Sequence, residues 1–150
     1  VSDLDIRRAV AADVPVIVAM LADDPLGATR EGDPDDPAYA RAFAEIDADP
    51  HQLLAVAVRG GEVVGTLQLT VIPGLSRRGT RRALIEAVRV RADQRGQGTG
   101  RQLVEWAIDT ARARGCGMVQ LTTDRSRTDA HRFYESLGFT GSHLGMKLAL

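Results

Sequence analysis

Apolar positions recur along this chain with two periods, and the switches between them mark out its elements. Leu4–Val10 alternates as a first strand. Over Ala12–Ala22, Val14, Ile17, Val18 and Leu21 fall at helical spacing, with Asp13 near the positive end of the helix dipole. Asp23–Pro37 mixes prolines, glycines and acids and reads as a loop. Ala38–Ala48 returns to the helical period, with Tyr39, Ala42, Phe43 and Ile46 on one stripe, and Asp49-Pro50 closes it. Leu53–Arg59 and Glu62–Ile72 are β-rich and joined by Gly60-Gly61, a two-residue hairpin turn. Pro73–Thr80 is a second loop. Arg82–Arg91 predicts a strand with Leu84, Glu86, Val88 and Val90 on one face and Ile85, Ala87, Arg89 and Arg91 on the other. After a glycine-rich turn, Arg101–Arg114 predicts a helix burying Leu103, Ala107, Ile108 and Ala111, ended by Gly115. Met118–Thr122 is a short strand, Ser126–Leu137 a last helix stopped by Gly138, and Phe139–Leu150 has room for two short strands.

Strand–helix–strand from Arg82 to Thr122 implies a parallel crossover, and the hairpin before it implies antiparallel pairing. The expected fold is α/β: one mixed, mostly antiparallel sheet with helices on both faces. No repeat or linker divides the chain, so residues 1–150 are expected to form a single domain.

The 150 residues suit one hydrophobic core, and 44% hydrophobic with 26% charged residues is the balance of a globular protein. No apolar run is long enough to cross a bilayer, so no membrane partner is expected. Val1–Arg8 lacks the apolar core of a secretory leader, and Cys116 is the lone cysteine. Both fit a cytoplasmic location. A net charge of −1 argues against a nucleic-acid partner. Acids concentrate between Asp23 and Asp36 and arginines between Arg77 and Arg101, an arrangement suited to a polyanionic cofactor and a cationic co-substrate, although composition alone favours a solvated surface of mixed charge. The three histidines are scattered, so no metal site is expected.

Chemistry concentrates in the segment from Val88 to Gly100. Gly96, Gly98 and Gly100 lack Cβ atoms, so their backbone can curl and offer N–H groups to a phosphate. The helix that follows adds unpaired N–H groups and a positive dipole end, and Arg95 adds a fixed charge. A P-loop would need a lysine here, but Lys147 is the only one in the chain. A dinucleotide fingerprint would need glycine at position 101 or 103, where Arg101 and Leu103 stand.

What remains is Arg-x-x-Gly-x-Gly, matched by Arg95, Gly98 and Gly100 between strand and helix, and it resembles the acetyl-CoA motif of the GNAT superfamily of N-acetyltransferases. The two early helices, the Gly60-Gly61 hairpin and the closing stretch from Asp129 to Phe139 extend the resemblance over nearly the whole chain. Asp129–Tyr134 with Ser142-His143 is also similar to the aminoalkylphosphonate acetyltransferases. The resemblance implies the acyl-CoA N-acyltransferase fold and transfer of acetyl from acetyl-CoA to a primary amine, by direct attack in a ternary complex. The acceptor would be a small-molecule amine or a peptide N-terminus. The same resemblance assigns Val88, Arg89 and Val90 to the pantetheine arm, and Arg95, Gly96, Gln97, Gly98, Thr99, Gly100 and Arg101 to the diphosphate. Strands around Val88 and Met118 would splay to admit the arm. Paired subunits are common in the family, so a homodimer is compatible.

Tyr134 lies on a stripe with Ala130, Phe133 and Leu137, and family tyrosines at this place protonate the departing thiolate; the alternative is a core tyrosine satisfied by backbone. Glu86, a carboxylate on a mostly apolar strand, is the candidate base; the alternative is an ion pair with Arg81, Arg82 or Arg89. Arg127 stands where many members carry asparagine, so either Arg127 reaches the cofactor phosphates or Ser126 takes over. Two other functions stay open at this point: a non-catalytic acyl-CoA sensor, and a transferase for a different acyl group.

Overall fold

Gly60 and Gly61 both take positive φ, 58° and 78°, the geometry that a two-residue turn needs to match the twist of its strands. Around that turn the computed structural model, which describes residues 3–150, builds a five-stranded sheet in the order β1-β2-β3-β4-β5. The strands are β1 (Asp5–Arg8), β2 (Gln52–Arg59), β3 (Glu62–Ile72), β4 (Arg81–Val90) and β5 (Cys116–Gln120). Neighbours pair antiparallel from β1 to β4, and β4 pairs with β5 in parallel. The mixed, mostly antiparallel sheet expected from the sequence is present. The helices are α1 (Val14–Ala22), α2 (Pro37–Ala48), α4 (Thr99–Ala113) and α5 (Thr128–Ser136), and the short piece α3 (Ser76–Gly79), in the expected loop, is a single turn with Arg77 and Arg78 in the left-handed region. The chain divides into two units, one ending at Gln120 and one spanning Leu121–Leu150.

In the first unit each sheet face has its own helical cover. Ala9, Ile17, Met20 and Val56 form a buried cluster with Phe43, Leu54, Val58 and Val63 packed against it, which sets α1 and α2 on one face. On the other face α4 buries Leu103, Val104, Ala107 and Ala111. Leu103 comes so close to β3 that a Cβ at Gly65 would lie 2.8 Å from its Cδ1. Leu67, Leu69, Ala83 and Ile85, all buried, share that face by register. Asp13 fastens the lower edge: its carboxylate accepts Arg7 Nη1 at 2.8 Å and the Val10 N–H at 2.8 Å.

Three expectations need correction. The first helix begins at Val14, after a 3-10 turn over Ala11–Asp13. Val104 takes the buried place assigned to Ile108, which is half-buried. No strand forms between Phe139 and Leu150 among the described residues, because that segment finds no ladder to join. Of Val1–Arg8, the segment expected to lack the apolar core of a leader, Val1 and Ser2 lie outside the described residues.

Candidate active site

The glycine turn takes the form its composition requires. A short 3-10 turn, Ala92–Gln94, leaves β4, and Gly96 and Gly98 then adopt φ of 79° and 81°. Gly98 caps α4 from the left-handed region, a place where a side chain would cost about 1 kcal/mol. Arg95, Gly96, Gln97 and Gly98, which lead into α4, are all exposed, and the first N–H groups of the helix have no carbonyl within it to bond. Gly100 and Arg101 open the helix that backs them, and the side chain of Arg101 pairs with Glu105 at 3.4 Å.

Two features hold this turn that no local pattern announces. Thr99 is buried, and its hydroxyl, with Gln94 Oε1, accepts from Arg59 Nη1 at 3.2 and 2.7 Å. Arg59 stands beside the hairpin turn, 40 residues before Thr99, and sequence spacing gives no hint of their meeting. Arg95, for its part, donates Nε to the Val90 carbonyl at 3.2 Å and faces Asp23 at 3.9 Å.

The strand before the turn is not regular. Ala87 has φ of 53°, and the β3–β4 register jumps from Glu86↔Gln68 to Arg89↔Thr66. Two residues of β4, Ala87 and Val88, thus oppose the single Leu67 of β3, which is a β-bulge. The extra residue flips the alternation. Glu86 and Arg89 now share a face, whereas the sequence reading put Glu86 with Val90; Val90 lies instead with Ile85 on the α4 side. Glu86 and Ala87 are both exposed, at the point where the strand bends.

Arg89 is met by Asp24, which follows α1, with Nε 3.0 Å from Oδ2 and both side chains mostly covered. Arg89, one of the three arginines expected as possible partners for Glu86, is thus engaged elsewhere. The ladder between β4 and β5 stops at Leu84↔Gln120, so β4 from Ile85 to Val90 continues with no β5 partner. Met118, expected at the splay, is still paired with Arg82, and the strands part only beyond it.

The acidic loop is largely occupied in holding its own shape. Asp24 accepts the Gly27 N–H, Asp33 that of Asp35, and Asp36 that of Ala38 at the start of α2. Glu31 accepts the Tyr39 hydroxyl at 2.8 Å. Although the Gly32 N–H donated to the Tyr39 oxygen acts to lower that phenol, the Glu31 carboxylate and burial prevail and hold it above its ordinary value. Among the described residues the carboxylates of Asp23 and Asp35 make no hydrogen bond, and Asp23 faces Arg95 at 3.9 Å, which leaves Asp35 as the acid of this loop that meets no cation.

The second unit holds the remaining candidates. On α5, Ala130, Phe133, Tyr134 and Leu137 form the less exposed stripe that their spacing predicts. The Tyr134 ring meets Phe133 and Phe139 edge-on, with centroids 5.1 and 5.8 Å away. Arg127 occupies the residue before α5, and its carbonyl accepts the His131 N–H. His131 Nε2 lies 2.9 Å from the Asp124 carbonyl, and His143 bonds Ser142. Among the described residues no group of three His, Cys, Asp or Glu side chains could hold a metal ion, and no helix is long and apolar enough to cross a membrane.

The model of the Acetyltransferase (GNAT) family matches residues 18–139. Over 97% of its length the chain is 32% identical to the aminoalkylphosphonate N-acetyltransferase of Salmonella typhimurium, of which it covers 91%. A solved structure from Bacillus halodurans C-125, described as a transcriptional regulator, shares 50% identity and a TM-score of 0.95, covering 98% of this chain and 99% of its own. An aminoglycoside N-acetyltransferase in complex with CoA has a TM-score of 0.81 at 17% identity, over 100% of this chain and 96% of its own, a likeness of fold alone.

Proposed function

The chain belongs to the acetyltransferase (GNAT) family, as an acetyl-CoA-dependent enzyme that acetylates an amine, and from that premise we propose how its own residues divide the work. The observation that carries the reading is the turn from Arg95 to Gly100, exposed from Arg95 to Gly98, at the start of α4 and next to a strand whose ladder has stopped. Bare N–H groups of Gly96, Gln97, Gly98, Thr99 and Gly100 receive the diphosphate, and Arg95 and Arg101 supply charge at its rim. Backbone groups of Val88 and Val90, past the end of the β4–β5 pairing, take the pantetheine arm. Arg127 and Arg89 are less direct participants, since Arg89 is bound to Asp24.

The transfer proceeds by direct attack. A neutral amine nitrogen adds to the thioester carbonyl, the C–S bond breaks, and the thiolate takes the hydroxyl proton of Tyr134. The proton lost by the amine passes to Glu86, directly or through water. Glu86 suits this because the bulge presents it exposed and across from Gln68, and Arg89, one of its three expected ion-pair partners, is taken. Tyr134→Phe should lower kcat by about 100-fold with acetyl-CoA affinity nearly unchanged, by steady-state kinetics and calorimetry. Wild-type turnover would remove the assignment.

The acceptor is a small amine or a peptide N-terminus, drawn in by the loop between α1 and α2. The relative named an aminoalkylphosphonate N-acetyltransferase supports a small amine. Because Glu31, Asp33 and Asp36 hold the loop together, Asp35 is the acid to test. Asp35→Asn should raise the KM of a cationic amine severalfold and leave the acetyl-CoA constant unaltered; equal change in both would count against the idea. A panel of aminophosphonates, polyamines and peptides, crossed with acetyl-, propionyl- and succinyl-CoA and read by released thiol, fixes both partners. We read residues 1–150 as one domain, supported by a family match that runs through both units, acting in the cytoplasm as a pair of copies. Nucleic acid is not the partner: Arg89, Arg91, Arg95 and Arg101 are matched by acids, which favours a role around the cofactor even though one relative is described as a transcriptional regulator.

A further inference from the structure

The sheet face under α1 and α2 changes character along its length. Leu54 and Val56 of β2 join the apolar cluster there, but Gln52, on the same face by alternation, does not. Register carries a polar patch onward across the sheet: Thr70 lies opposite Gln52, Gln68 opposite Leu54, and Glu86 of β4 opposite Gln68. Gln52, Gln68 and Thr70 are half-buried and bonded to one another. Gln52 Oε1 accepts Gln68 Nε2 at 2.8 Å and the Thr70 hydroxyl at 2.9 Å.

Those bonds fix how the Gln68 amide stands. Its nitrogen is spent on Gln52, so its carbonyl oxygen is the free end, and among the described residues that oxygen accepts no hydrogen bond. A half-covered amide oxygen left without a donor calls for one. Room for a ligand lies beside it. A cavity of about 190 Å³ is lined by Gln52 and Gln68 from the sheet and by Ala42, Glu45, Ile46 and Asp49 from α2 and its end. Residues directly opposite in an antiparallel pair stand about 5 Å apart, so one small group can touch both Gln68 and Glu86.

We propose that Gln68 is a further catalytic residue on the acceptor side: its carbonyl holds the N–H that the amine keeps, while Glu86 takes the one it loses. A neutral primary amine brings a lone pair and two hydrogens. The lone pair forms the C–N bond, and sulfur leaves with the C–S pair and the Tyr134 proton. One hydrogen passes to Glu86 as a proton, and the other remains on the amide product. Two acceptors on facing strands sort those hydrogens and turn the lone pair toward the thioester. Glutamine suits the holding task because a neutral amide accepts a hydrogen bond and takes no proton. The inference rests on the reading that Glu86 receives the amine proton, and names what binds the other side of that nitrogen. It also narrows the substrate class. Primary amines are taken and secondary ones rejected, because their single N–H must go to Glu86 and leaves Gln68 unpaired.

Three matched pairs test this: a glycyl peptide, an aminoalkylphosphonate and a diamine, each against its N-methyl derivative (N,N′-dimethyl for the diamine), read by released thiol. Gln68→Met, close in size, should cut kcat/KM for the best primary amine about thirtyfold and for its methylated partner less than about threefold, so the preference shrinks about tenfold. Acetyl-CoA affinity by calorimetry and the circular dichroism spectrum should not move. Should Gln68→Met not fold, Gln52→Leu serves, since it keeps the Gln68 carbonyl but removes the oxygen that fixes it. The preference should then shrink about threefold. A preference that survives in the folded variant, or equal falls on both amines of a pair, overturns the role of Gln68 and leaves Glu86 and the transfer in place. A wild type that releases no thiol with any of these amines overturns the transfer reading and this inference together.

Discussion

Asp13 shows how much one side chain can hold. It joins the end of β1 to the approach of α1 through a two-pronged bond to Arg7, at 2.8 and 3.2 Å, and through the Val10 N–H. The Arg7 hydrogen bond outweighs the desolvation that opposes it and keeps the Asp13 carboxyl below the ordinary carboxylate value. A carboxyl depressed in the folded state stabilises fully above its unfolded value, near 3.9, and stops stabilising as pH falls through the folded one. Asp13→Asn should therefore lose about 1–2 kcal/mol at neutral pH, toward the lower end because Arg7 is 40% exposed. The deficit should shrink toward zero below about pH 3, read by denaturant melts across pH. The sequence placed Asp13 at a helix start and so found its neighbourhood. The bond to Arg7 was hidden, because it depends on how the strand turns into the helix.

At the scale of elements the bulge in β4 and the lock on the turn decide function. Ala87 sits at φ 53°, a conformation costly for any residue with a Cβ and more so for a branched one. Ala87→Val should cost a further ~1 kcal/mol of stability and weaken acetyl-CoA, while Ala87→Gly should keep the affinity; thermal melts and calorimetry on both separate strain from volume. Alanine gives no warning of positive φ, so the strand was legible in the sequence but its change of face was not, and Glu86 was put on the wrong side. Arg59 makes the same point for α4. The helix period located α4 to within two residues of its start, yet its pin comes from the hairpin. Arg59→Ala should raise the acetyl-CoA Kd about tenfold, roughly 1.4 kcal/mol, with kcat little changed, as titration calorimetry and saturation kinetics would show.

At the scale of the whole molecule, strand order was readable because each connection left a local mark: Gly60-Gly61 for the hairpin, and an amphipathic helix between Arg82 and Thr122 for the crossover. The cofactor turn was readable for the same reason, being a continuous run of residues. What escaped was long-range: Asp24 on Arg89, Asp23 beside Arg95, and the failure of the last segment to find a ladder within its own chain. One of these long-range features reaches further. A sheet ordinarily spends its peptide groups on itself, but from Ile85 to Val90 β4 has no β5 strand along one flank, and there the Val88 and Val90 carbonyls accept only the side chains of Arg89 and Arg95. A slender guest bearing amides of its own can lie there as an honorary strand, gripped by main chain and indifferent to which side chains surround it. Such a berth measures its occupant by length, and it leaves the identity of the amine to be settled by the loop between α1 and α2 instead.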